Sequence, residues 1–196
     1  MSAEVRDGGD GGSIDAMEFL DPPGQERRRV PRLALTLVAF FAVTVAGFLW
    51  WQDSVRQSAT DQLVAAFAAA DARAASGERQ VQGMLAYASP MIWSTSVPED
   101  VRDGLRGLVE ASAADVAADL DAIGANAEGT MVLPWQQQQL EAREAVLTLI
   151  ADQQARFGGI AEDASDIDMI LADGPLPTGV VVTSLRASGA TDVSLR

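Results

Sequence analysis

"RRRVPRLALTLVAFFAVTVAGFLWW", residues 27–51, decides how the rest of the chain is read. From Leu33 to Trp51 run 19 residues without a charge. Wound as a helix at ~1.5 Å per residue they reach about 28 Å, close to the ~30 Å hydrocarbon layer of a bilayer. Ten of them are Leu, Val or Phe, and each favours insertion by roughly 0.3–0.6 kcal/mol. Thr36 and Thr44 cost little, because a hydroxyl bonds back to a carbonyl of the preceding turn. Arg27, Arg28, Arg29 and Arg32 flank one end only, and Trp50 and Trp51 close the other. Positive residues are retained in the cytoplasm and tryptophans settle in the headgroup layer. These six are the candidate membrane-interface residues. They predict a single-pass cell-membrane protein with residues 1–32 cytoplasmic and residues 52–196 extracytoplasmic.

Two other readings of the run are weaker. A cleaved signal peptide would be cut after Thr44-Val45-Ala46, but apolar residues continue through Gly47, Phe48, Leu49 and both tryptophans, where small polar residues are needed. The core helix of a soluble protein would not be apolar all round with arginines at one end only.

Composition narrows the chemistry. All 14 basic residues are arginine; lysine, histidine and cysteine are absent. Without histidine or lysine there is no Ser-His-Asp site, no Ser-Lys pair and no Schiff base. Without histidine or cysteine the familiar zinc sets are missing, and so are disulfides. Neither a phosphate-binding G-x-x-x-x-G-K-S/T loop nor a G-x-G-x-x-G turn occurs. No cofactor, metal or catalytic residue is expected. From Gln52 onward nine arginines face 21 acidic residues, a balance of −12. So acidic a surface repels a phosphate backbone, which argues against a nucleic-acid partner.

Beyond the run the chain reads as helices. Residues 52–76 are alanine-rich and free of proline, and Ala66, Ala70 and Ala74 recur every fourth residue. They form a smooth candidate helix-packing strip. Gly77 is a candidate kink or cap, and the pattern resumes until Pro90. Met91, Ile92 and Trp93 fall in a connector and are the candidate partner-binding residues. Ser96 and Glu99 have the spacing of a capping box. Val101, Leu105, Leu108, Val109, Val116, Leu120 and Ile123 then make one apolar stripe ending at Gly124. Asp115 and Asp119 fall near its edge. Pro134 suits the first turn of a further helix, whose inner face is Trp135, Ala142, Val146, Leu149, Ile150, Gln153 and Phe157 and whose end is Gly158-Gly159. Ser165 caps a shorter helix carrying Ile167, Ile170 and Leu171.

The tail has another character. "GVVVTSL" and "TDVSLR" are rich in β-branched residues and are joined by "RASGA", a hairpin pattern. Such a hairpin must pack on the helices, pair with "TMVL" (residues 130–133), or add to a partner's sheet.

The expected fold is therefore mainly α. Residues 1–32 form a disordered cytoplasmic tail and 33–51 a transmembrane helix. Residues 52–174 form an extracytoplasmic antiparallel bundle of three to four helices, and 175–196 a small C-terminal β element. The expected function is a non-enzymatic binding or scaffold subunit of an envelope or membrane assembly. Its partners are the lipid bilayer and another membrane or envelope protein, or a second copy of itself. One alternative is a membrane-tethered sensor read out by a cytoplasmic partner. Another is an exported hydrolase using two carboxylates among Glu99, Glu110, Glu141 and Glu144. The denser acidic group, Glu162, Asp163, Asp166, Asp168 and Asp173, lacks the spacing of a calcium loop and reads as a solvated face.

Overall fold

The computed structural model describes residues 32–92, 94–164 and 176–193. Their regular structure is helical: α1 Arg32–Ile92, α2 Glu99–Glu128, α3 Gln137–Glu162 and α4 Gly179–Ala187. The chain divides into two compact units between Val43 and Thr44. The described part of the first, residues 32–43, is helix throughout, with Leu35, Leu37, Val38, Phe40, Phe41 and Val43 all exposed.

The second unit has its own core. After the buried Ala59, the buried positions along α1 are Thr60, Leu63, Phe67, Ala70, Ala74, Gly77, Val81 and Ala88, with Met84 half-buried. Their spacing alternates between three and four residues, the repeat that keeps one seam of a helix against its neighbours. Helix α2 repeats it at Val109, Ala113, Val116, Leu120 and Ala127, and α3 at Gln139, Ala142, Val146, Leu149 and Gln153. Residues from all four helices join one apolar cluster.

Named contacts give the directions. Arg73 meets Asp119, and Gly77 faces Val116, so α2 descends as α1 rises. Gln154 meets Asp121, Gly124 faces Ile150, and Arg143 reaches Thr130, so α3 runs opposite to α2. Gly77 marks a close approach. A Cβ there would lie 2.8 and 2.9 Å from the Val116 methyls and 3.1 Å from the Phe157 ring. Gly77 therefore does not cap α1, which runs on through it; it makes room for both neighbours.

Several helix ends differ from expectation. Helix α1 runs past Pro90 to Ile92. The capping box does not form: Pro98 occupies the N-cap of α2, and the Ser96 hydroxyl lies 2.6 Å from that of Ser94. Gly124 is interior, and α2 ends at Glu128 with Gly129 as its C-cap, whose N–H donates to the Ala125 carbonyl. Pro134 lies in a turn closed by the Gln136 N–H on the Leu133 carbonyl, and α3 starts only at Gln137. Gly158 and Gly159 lie within α3, and Trp135 is exposed rather than part of its inner face.

The C-terminal β element is corrected outright. "GVVVTSL" is the body of α4, with Val181, Val182 and Leu185 buried, and no strand occurs among the described residues, "TMVL" included. The turn after α4 is held from two sides. The Ser188 carbonyl accepts from the Thr60 hydroxyl at 3.2 Å and from the Gln139 amide at 3.0 Å. Gly189 follows with φ of 110°, a conformation that glycine adopts without the Cβ penalty. The expected helix after Ser165, with Ile167, Ile170 and Leu171, lies outside the described residues.

Candidate functional site

The apolar run is the first candidate. Residues 34–51 are helical, and the most apolar 18-residue window of α1 has none of its residues buried. Phe40 is 72 % and Trp50 75 % exposed. Trp51 sets its ring 5.9 Å from that of Phe48, tilted by 39°. Arg32 is the first residue of α1; Arg27, Arg28 and Arg29 lie outside the described residues. One helix near the N-terminus is thus long and apolar enough to span a bilayer.

The alanines of the strip separate in the structure. Ala70 and Ala74 belong to the buried core of this chain itself, on the seam facing Val116 and its neighbours. Ala66 is half-buried at its edge, beside a shallow groove of about 400 Å³ shared with Ile123 and Asn126. Of the connector residues, Met91 is exposed in the last turn of α1 and Ile92 ends that helix, whereas Trp93 lies outside the described residues. Tyr87, Val101 and Leu108 are exposed as well. Tyr87 and Met91 lie in the last two turns of α1, and Val101 and Leu108 in the first three turns of α2.

The four candidate carboxylates lie on two helices. Glu99 is exposed and Glu110 half-buried, both on α2. Glu141 and Glu144 are exposed on α3, and the Arg143 between them turns away to the Thr130 carbonyl at 3.5 Å. Asp119, unplaced by the sequence pattern, accepts from Arg73 at 2.7 Å and so joins α2 to α1. Asp115 is exposed. Glu162 and Asp163 are exposed at the end of α3, while Asp166, Asp168 and Asp173 lie outside the described residues. Among the described residues no three acidic side chains converge as a metal site would require.

Two features escaped the sequence pattern. A polar cavity of about 160 Å³ lies beside the Glu78–Arg156 ion pair, with Asp71, Gln153 and Thr178 on its wall. A larger trough of about 500 Å³ runs between α3 and α4, with Leu149 and Leu176 on its floor, Val180 on the α4 side and Glu141, Glu144 and Asp152 along α3. The trough depends on α4 being a helix, so reading that segment as strand concealed it.

No family model, no curated protein and no solved structure matches this chain.

Proposed function

We propose that the chain is a bilayer-anchored, non-enzymatic binding subunit. In this reading Leu33–Trp51 spans the membrane, and residues 52–196 form a helical bundle outside it that docks a membrane or envelope protein. The observation that carries it is the exposure of the apolar window of α1, whereas the second unit has a buried core of its own. Burying one Leu, Val or Phe side chain is worth ~1.5–3 kcal/mol. The nine described ones left in water would forgo about as much as, or more than, the ~5–15 kcal/mol by which a domain is stable. A lipid environment removes that cost. The one-sided arginines and the Trp50–Trp51 pair support the orientation. Tyr87, Met91, Val101 and Leu108 are exposed apolar side chains on the helices flanking the α1–α2 connector, and such side chains are the surface a docking role would use.

The test is alkaline extraction of native membranes combined with protease shaving of intact cells. The full-length chain stays with the lipid pellet, and the part after Trp51 is digested from outside. Recovery of a soluble chain beginning at Gly47 would overturn the anchor, and protection of the C-terminal part would overturn the orientation.

A further inference from the structure

We propose that the trough between α3 and α4 is a docking groove for a cationic amphipathic helix of a partner protein. The inference deepens the binding-subunit reading and rests on it. Along α3 the trough follows Glu141, Glu144, Thr148 and Asp152, a spacing of three and four residues that keeps them on one stripe. From the first carboxylate to the last is about 16 Å of helix, or three turns. Leu149 and Leu176 line the floor, and the opposite wall is the α4 residue Val180, which is 70 % exposed. Exposed Val180 is unusual here, because the neighbouring Val181 and Val182 are packed inward.

Shape and charge select the occupant. Two nearly adjacent helices with an apolar floor leave a furrow into which a third helix lays side chains at i, i+3, i+4 and i+7. About 500 Å³ accommodates several aliphatic side chains rather than one. Glu141, Glu144 and Asp152 form no ion pair with any described residue. A helix carrying Lys or Arg beside its apolar stripe would meet three uncompensated carboxylates at matching intervals. A second copy of this chain is disfavoured, because the part beyond Gln52 carries nine arginines against 21 acidic residues and repels itself.

The absence of cysteine gives a clean experiment. The full chain carrying Thr148→Cys is labelled with an environment-sensitive dye and placed in phosphatidylcholine nanodiscs. It is titrated with a designed leucine–lysine amphipathic helix of about four turns, and separately with its leucine–glutamate counterpart. The lysine helix gives a saturable signal, at least tenfold tighter than the glutamate helix. In the E141Q/E144Q/D152N variant it binds about tenfold more weakly at low salt, and most of its salt dependence is lost. Val180→Asp also weakens it about tenfold; an acidic residue in the first turn of α4 suits that helix end, so folding is retained.

Four results would overturn the proposal: equal binding of both helices, no effect of the triple variant, a signal produced by concentrating the protein alone, or insensitivity to Val180→Asp. The last indicates adsorption on an acidic surface rather than docking in the trough. Membrane extraction is unaffected by these outcomes, so the groove and the anchor fail separately.

Discussion

The Arg156 guanidinium lies 2.6 Å from the Glu78 carboxylate and ties the middle of α1 to α3. The Arg156 side chain is only 11 % exposed and that of Glu78 25 %, so both charges have lost much of their water. Removing one partner from such a site leaves the other poorly solvated. Glu78→Gln is expected to lower stability by about 1–3 kcal/mol, measured by urea unfolding of the micelle-bound chain followed by circular dichroism. The Arg73–Asp119 pair is as short, at 2.7 Å, but Asp119 is 59 % exposed. Asp119→Asn should cost less than about 1 kcal/mol. If the two substitutions have equal effects, burial does not set the worth of these pairs.

Glycine-to-alanine exchange on α1 should change sign with position. At Gly77 the added carbon meets the Val116 methyls and the Phe157 ring. Overpacking of about 1–3 kcal/mol then outweighs the helix-propensity gain of up to ~1 kcal/mol. At Gly83 nothing lies within 4 Å, so the gain stands alone. Gly77→Ala lowers the melting temperature and Gly83→Ala raises it or leaves it unchanged.

Phe157 is the largest of the fully buried side chains, whereas Trp135 is half open to solvent. Phe157→Ala should cost about 3–5 kcal/mol. Trp135→Ala, away from the core, should stay within about 0.5 kcal/mol in the same unfolding assay. The reverse order would place the core elsewhere.

A charge in the middle of the apolar run tests the anchor quantitatively. Ala42→Arg adds roughly 2.5–3.5 kcal/mol to insertion, whereas Ala42→Leu favours it slightly. The arginine variant should shift part of the chain to the soluble or degraded fraction, and the leucine variant should extract like the parent.

Much of this molecule was legible from residue spacing. The inner faces at Val116 and Leu120, and at Ala142, Val146 and Phe157, follow apolar periodicity, which packing enforces wherever a helix has one dry side. Helix ends were less legible, because glycine was read as a stop. Gly124, Gly158 and Gly159 continue their helices, and Gly77 is spent on close packing. The capping box failed for a reason already visible in the sequence. Val97 precedes Pro98, and a residue before proline avoids helical angles, so the helix cannot begin at Ser96. The tail misled because β-branched composition outweighed spacing. Val181, Val182 and Leu185 lie one and three residues apart, a helical face, and packing on α3 overrides the weak strand preference of valine. The trough needs two elements distant in sequence, and no local pattern reports such a meeting.

The doubly bonded carbonyl of Ser188 bears on where the chain tolerates shortening. Trimming at Ala187 would strand the buried Gln139 amide and Thr60 hydroxyl without their acceptor. It would also remove Val193, which is buried and whose carbonyl accepts from Arg186 at 2.9 Å. Loss of a terminus is harmless only where its backbone is unbonded and its side chains are wet. A C-terminal fusion or tag should therefore leave the closing turn through Val193 whole.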